Sequence, residues 1–143
     1  MNRELVGALA AAPRRAQPGR TNEGGAVSVQ LVIATPLLLL LLMLTVQFAV
    51  YLHATHIAEA TAAQALAAAR LEAGTAADGD IQAQAVLGQL GHDVLLEPHV
   101  SVTRRATQVR VEITGVAQTV VPPMRLPVRA VAEGPTEEWT TQP

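Results

Sequence analysis

The chain has 143 residues, no cysteine and a formal net charge of −2. Without cysteine it cannot form a disulfide framework, a thiolate metal site or a cysteine nucleophile. All ten basic residues are arginine, and after residue 52 six arginines face ten acidic residues. This mildly acidic balance excludes the basic footprint that nucleic-acid binding requires, so no nucleic-acid partner is predicted.

A long apolar stretch dominates the N-terminal third of the chain. Residues 24–52 contain no Asp, Glu, Lys, Arg or His, and residues 37–42 are all leucine. About 20 mostly apolar residues in a helix cross the roughly 30 Å core of a bilayer, so residues 26–52 are predicted to be a transmembrane helix. The stretch exceeds the 7–15 residues or so of a signal-peptide core, which favours a retained anchor. Pro36 is compatible with a membrane helix and predicts a modest kink.

The arginines on the N-terminal side of this stretch predict its orientation. Residues 1–25 contain four arginines and two glutamates, and the next arginine is Arg70. By the positive-inside rule, residues 1–25 are a cytoplasmic basic leader, which we expect to be disordered, and the C-terminal part lies outside the cytoplasm. Phe48 and Tyr51 stand where aromatic residues of the membrane interface are expected. The sequence thus predicts a single-pass protein of the cell membrane.

The helix is expected to continue beyond the membrane through residues 53–74. Residues 54–73 contain ten alanines and neither Gly nor Pro, which favours helix, and Gly74 is the expected stop. Small residues one turn apart allow a second helix to approach closely. The predicted helix-packing residues of this type are Ala58, Ala62, Ala65 and Ala69. Gln30 and Gln47, the two amides of the apolar stretch, are predicted either to contact other helices or, since both lie near the ends of the stretch, to snorkel to the membrane surface.

Residues 75–132 are predicted to form a small extracytoplasmic domain that begins with a helix. Residues 75–79 are interpreted as a loop, after which Asp80 caps a short amphipathic helix over residues 80–90. Its predicted apolar face is formed by Ile81, Ala85, Val86 and Leu90. Gly91 ends it.

An alternating pattern after residue 99 predicts a small antiparallel sheet. Its apolar positions are Val100, Val102, Val109, Val111 and Ile113. Residues 104–107 form the turn of this hairpin, residues 126–132 are a third strand, and residues 133–143 are an acidic tail predicted to be disordered. The fold class is therefore α+β, with one long N-terminal helix, a short second helix and a small sheet.

The sequence offers little for catalysis. Ser28 and Ser101 lack a G-x-S-x-G context, and neither a P-loop nor a dinucleotide-binding motif occurs. His53 and His56 lie near each other on the predicted helix, but no third metal ligand accompanies them. No catalytic residue, metal site or cofactor is predicted.

A family resemblance covers residues 23–70. Residues 23–36 read Glu-Gly-Gly-Ala-Val-Ser-Val-Gln-Leu-Val-Ile-Ala-Thr-Pro, followed by the leucine run and Val46-Gln47-Phe48. With the alanine-rich continuation over residues 57–70, this pattern resembles the TadE-like family, which comprises small pilin-like proteins of Tad (tight adherence) pilus systems. Gln30 stands where the family pattern has an acidic residue, and Gln47 where it has a glutamate.

The resemblance implies a pilin-like fold and cleavage by a prepilin peptidase between Gly25 and Ala26. It implies as partners membrane lipid, other pilin-like subunits and the inner-membrane assembly proteins of the Tad system. An amide at Gln30 cannot offset the charge of a neighbouring N-terminal amine. This favours a minor pseudopilin or an assembly factor over a major filament subunit.

The sequence leaves two other interpretations of the function open. The chain could be a single-pass envelope protein whose outer domain binds an unrelated protein or a cell-wall ligand. Alternatively, it could be a secreted enzyme or binding domain released by signal peptidase, with a mature N-terminus near Thr61.

Overall fold

The computed structural model describes residues 23–137, which contain two α-helices and a three-stranded sheet. The elements are α1 (Glu23–Arg70), α2 (Ala76–Val86) with a π-helical turn at Leu87–Gly91, β1 (Leu95–Arg104), β2 (Gln108–Ala117) and β3 (Leu126–Pro135). The predicted α+β fold is confirmed. The chain divides into two compact units after Leu37, and the folded domain described below lies in the second unit. The proposed leader falls largely on residues 1–22, outside the described part.

Helix α1 differs from the prediction at both ends. It begins at Glu23, so Gly24 and Gly25 lie in its first turn rather than breaking the chain before it. It ends at Arg70 rather than at residue 73. The Arg104 guanidinium donates to the carbonyl oxygens of Ala69 and Leu71, and the Glu137 N–H donates to the carbonyl of Arg70 at 2.9 Å. These contacts satisfy carbonyl groups that a longer helix would have bonded internally.

Helix α2 starts four residues earlier than predicted because Thr75 caps it. The Thr75 hydroxyl accepts from the Asp78 N–H at 3.2 Å, and the Asp78 carboxylate accepts from the Thr75 N–H at 2.7 Å. This reciprocal capping box satisfies two N-terminal donors at once. The interpretation of residues 75–79 as a loop and of Asp80 as the cap was therefore wrong.

The apolar face predicted for α2 was also wrong, apart from Val86. Ile81 and Leu90 are 68% and 53% exposed, whereas the buried residues of α2 are Gly79, Ala83 and Val86. A β-carbon at Gly79 would lie 2.9 Å from the Ala69 β-carbon of α1. Small residues therefore face α1 because the two helices approach too closely for larger side chains.

The capping box should make part of the stability of α2 depend on pH. The Thr75 hydroxyl and then the Thr75 N–H donate to the Asp78 carboxylate and hold its pKa below the ordinary value. The unfolded chain therefore binds this proton more readily, so the stabilisation is present above about pH 4 and is lost as pH falls through the lowered native pKa. We expect Asp78→Asn to lower the melting temperature at pH 7, and the difference from the parent protein to shrink towards pH 3. A difference independent of pH would contradict this assignment.

The sheet follows the predicted alternation. Its order is β1-β2-β3, both pairs are antiparallel, and the turn at residues 105–107 joins the first two strands. The buried face of β2 and β3 comprises Val109, Val111, Ile113, Ala117, Val128 and Ala130. A bulge shifts the register of β1 between Leu96 and His99, and Glu97 within it has a φ of 51°. The predicted hairpin and third strand are confirmed.

The start of the predicted disordered tail is ordered. Strand β3 continues to Pro135, which pairs with Gln108. Beyond it, the Thr136 hydroxyl donates to the Ala106 carbonyl at 2.8 Å. The prediction of disorder is thus corrected for residues 133–137 because these residues pair with β2 and with the end of α1; residues 138–143 lie outside the described part.

The core of the domain forms between α1, α2 and the sheet. The residues that α1 contributes are Ala54, Ile57, Ala58, Ala62, Ala65 and Ala69, each at most 5% exposed. The sequence predicted that Ala58, Ala62, Ala65 and Ala69 pack against another helix. All four belong to the core of the chain's own domain, where Ala65 and Ala69 lie against Gly79 of α2. A role of these alanines in contacts between subunits remains a prediction.

Two glycines of the second helical segment provide a matched test of this close packing. A β-carbon at Gly79 would lie within 3.1 Å of atoms from both Ala65 and Val102, whereas one at Gly88 would meet nothing within 4 Å. Alanine at an unstrained helical position gains up to about 1 kcal/mol over glycine. We expect Gly88→Ala to raise the melting temperature and Gly79→Ala to lower it, as measured by thermal unfolding in detergent. Equal shifts for both variants would rule out the tight contact between α1 and α2.

Candidate membrane and assembly interface

The first feature of this interface is the apolar part of α1 before Gln47. Every large apolar side chain at residues 29–46 is exposed, from 38% at Leu44 to 73% at Val32. The helix contains an 18-residue window with a mean hydropathy of 2.5, none of which is buried in the protein. A core helix of a globular domain would bury such a surface. The helix therefore fits a single-pass membrane protein.

The polar residues of this segment are compatible with a lipid environment. The Thr45 hydroxyl donates to the Leu41 carbonyl at 2.9 Å, which satisfies it within the helix. Gln30 is exposed, and Pro36 lies inside α1 without ending it. Contacts of Gln30 and Pro36 with other helices, and the kink at Pro36, remain predictions. Gly25 and Ala26 lie in the helical backbone near its start, and cleavage between them also remains a prediction.

Gln47 has a different role from the one predicted. Its side chain is 1% exposed and holds the segment between β2 and β3, called the β2–β3 loop (residues 118–125). Its Nε2 donates to the Gln118 carbonyl at 3.1 Å, and its Oε1 accepts from the N–H groups of Val120 at 2.6 Å and Val121 at 3.0 Å. The amide thus joins α1 to the chain's own domain, because the loop presents complementary backbone groups there. The prediction of a contact between separate helices is corrected for this residue.

The centre of the β2–β3 loop is apolar and internally bonded, whereas Arg125 at its end is exposed and pairs with Glu97 at 3.2 Å. The central residues of the loop are Val120, Val121, Pro122, Pro123 and Met124. The Met124 N–H donates to the Val121 carbonyl at 2.8 Å, and the Thr119 hydroxyl donates to the Met124 carbonyl at 3.3 Å. No role was predicted for this loop from the sequence, although five consecutive apolar residues at positions 120–124 distinguish it from the turn at residues 105–107.

The two aromatic residues predicted for the membrane interface have different environments. Phe48 is 60% exposed, next to Gln47 on α1. Tyr51 is half-buried and packs against the core. The ring of Tyr51 thus covers part of the domain, and an interfacial position of Phe48 and Tyr51 remains a prediction.

The face of the sheet opposite the core is charged. Glu112 contacts Arg129 at 2.8 Å and Arg110 at 3.6 Å, and Arg110 also pairs with Glu133. A hydrogen bond from Arg129 is the main cause that lowers the pKa of Glu112. A shallow groove of about 440 Å³ begins here, lined by Thr103, Arg105, Gln108, Arg110 and Glu133. The side chains of Arg110, Glu112, Arg129 and Glu133 are paired with one another, which is typical of a solvated sheet surface.

Within residues 23–137, no group of three or more His, Asp or Glu side chains is placed to hold a metal ion. His56 lies 3.5 Å from Glu59, and both side chains are mostly exposed. The histidine pair noted in the sequence therefore has no third ligand in the described part of the chain.

Comparison with known proteins identifies the segment that carries the apolar helix. The family model described as TadE-like protein matches residues 25–67. Neither the comparison with curated proteins nor that with solved structures gives a match. The matched residues include the exposed apolar segment, Gln47 and most of the alanines that pack against the sheet. Residues 25–67 are therefore similar to TadE-like proteins, which confirms the resemblance found in the sequence.

Proposed function

We propose that this protein is a non-enzymatic minor pseudopilin or assembly factor of a Tad-type pilus or secretion system. The observation that carries the proposal is that the two parts of α1 have different surroundings. Within the TadE-like segment, residues 29–46 expose their large apolar side chains, while Gln47 and one face of the helix after it pack against the chain's own domain. This arrangement is pilin-like, because one helix supplies both the membrane segment and the backbone of the outer domain.

Contacts with other subunits are expected on the exposed part of α1. The buried alanines from Ala58 to Ala69 pack within the chain's own domain. The longest exposed apolar stretch of α1 is therefore residues 29–46, and further exposed positions such as Phe48 and Ala63 follow Gln47. In this surface Gln30 offers an amide that can hydrogen-bond across helices in lipid, and Pro36 leaves a backbone carbonyl that a neighbour can satisfy. The expected partners are pilin-like subunits and the inner-membrane proteins of the assembly machinery.

A segment exchange tests this proposal against a simple membrane anchor. Residues 26–46 are replaced in the native host by an unrelated single-pass helix of the same length, with residues 1–25 and the outer domain left intact. We expect the variant to remain in the membrane with a folded domain but to lose pilus assembly, scored by electron microscopy of shed fibres. Normal pili would instead favour the envelope-protein alternative, in which the helix is only an anchor.

The N-terminus of the membrane-extracted protein supplies a second test. A start at Ala26 would support processing by a prepilin peptidase, and would do so even though Gln30 replaces the acidic residue of the family pattern. A chain that retains its leader would favour an uncleaved assembly factor. A start near Thr61 would contradict both, since cleavage there would remove the apolar segment.

A further inference from the structure

The position of the β2–β3 loop along α1 has a consequence for the outer surface of the membrane. Gln47 follows directly after the exposed apolar residues of α1, and its side chain contacts Gln118, Val120 and Val121. If residues 26–46 cross the bilayer, they account for about 30 Å at 1.5 Å per residue. The loop is then held at the level at which the helix leaves the hydrocarbon.

The backbone of the loop is suited to an apolar environment. The N–H groups of Val120 and Val121 donate to Gln47, and that of Met124 donates to Val121. The two residues between them are prolines, which have no N–H. From Val120 to Met124, every backbone N–H that exists is therefore hydrogen-bonded. An unpaired donor near hydrocarbon would cost several kcal/mol, so this pairing removes the part of the penalty for entering lipid that comes from N–H groups.

The side chains of the loop agree with its backbone. Five consecutive apolar residues occupy positions 120–124, and Pro122, Pro123 and Met124 are exposed. Phe48 is also exposed, one residue after the glutamine that holds the loop. The other end of the sheet is different, because the turn between β1 and β2 contains Arg105 and Thr107 and no large apolar residue.

We propose that the β2–β3 loop enters the outer interface of the bilayer, so that Pro122, Pro123 and Met124 contact lipid beside Phe48. The ligand is the lipid surface itself, at the boundary between headgroups and acyl chains. This inference rests on the membrane-spanning role of α1 given above. It adds a second membrane contact to the single helix, which fixes the orientation of the domain and keeps the turn at residues 105–107 in water.

The absence of cysteine from the sequence makes a direct test practical. Single-cysteine variants Met124→Cys, Leu40→Cys and Thr107→Cys are labelled with an environment-sensitive fluorophore. The full chain is then reconstituted at one copy per phosphatidylcholine nanodisc, with or without nitroxide-labelled lipid. We expect the nitroxide lipid to quench the labels at positions 40 and 124 and to leave the label at position 107 unchanged. Pro122→Cys provides a second position in the loop in case the first variant fails to fold.

Each other outcome points to a different failure. Quenching at position 40 together with a water-like, unquenched label at position 124 would overturn the loop contact and leave the membrane span intact. No quenching at either position would overturn the span, and with it both proposals. A label at position 124 that is shielded from water but not quenched would mean that protein covers the loop, which also overturns the lipid contact.

Discussion

Replacing Gln47 by alanine should release the β2–β3 loop and lower the free energy of unfolding of the outer domain by about 2–4 kcal/mol. The variant removes one acceptor and one donor that are 1% exposed and serve three backbone groups of the loop. Those groups must then find water or remain unpaired. Hydrogen exchange measured on the detergent-solubilised protein should show faster exchange at the amides of Val120 and Val121, with little change in the centre of β2.

Two control variants distinguish the loss of the hydrogen bonds between Gln47 and the loop from a general effect on the helix. Gln30→Ala removes an exposed amide from the same helix and should leave the stability of the domain unchanged. Gln47→Glu keeps an acceptor for Val120 and Val121, but an ionised carboxylate at this buried position faces the carbonyl of Gln118. We expect its loss of stability at pH 7 to be at least as large as that of Gln47→Ala, and to shrink at acid pH, where the protonated carboxyl can donate to Gln118. Unchanged amide exchange in Gln47→Ala would show that the loop holds its position without the glutamine.

The elements of this fold follow mainly from local patterns in the sequence. The uncharged stretch before residue 53 predicted the apolar helix. The alternation of Val109, Val111 and Ile113 predicted a buried strand face. The capping box of Thr75 and Asp78 was also readable, since a threonine three residues before an acidic residue is a known helix start. It was missed because Asp80 offered a second plausible cap.

The contacts of the candidate interface depend on information that is not local. Gln47 bonds residues 71 to 74 positions away, and no short-range pattern links them. The alanines of α1 were ambiguous for a physical reason, because small side chains allow a second helix or the chain's own sheet to approach equally well. Only the course of the chain after Gly74 decides between them, and it returns along α1.

Ala65→Leu should show whether the alanines of α1 pack within the chain's own domain or against another subunit. Ala65 is fully buried, and its carbonyl oxygen lies only 3.1 Å from the position that a β-carbon on Gly79 would take. Extra carbon atoms in such a contact typically cost about 1–3 kcal/mol, and here they would separate α2 from α1. We expect a clear fall in melting temperature of the detergent-solubilised protein, with increased proteolysis between α2 and β1.

The matched control is Ala63→Leu, two residues away on the exposed side of α1. Alanine and leucine have similar helix propensities, so this variant should keep the parent melting temperature and any difference between the two variants reports on packing. If the alanines instead joined separate subunits, Ala65→Leu would leave the melting temperature of the monomer unchanged and reduce cross-linked oligomers. That result would require the sheet to leave α1 in the assembled state. A loss of monomer stability restricts subunit contacts to the helix before Gln47 and to the outer surface of the domain.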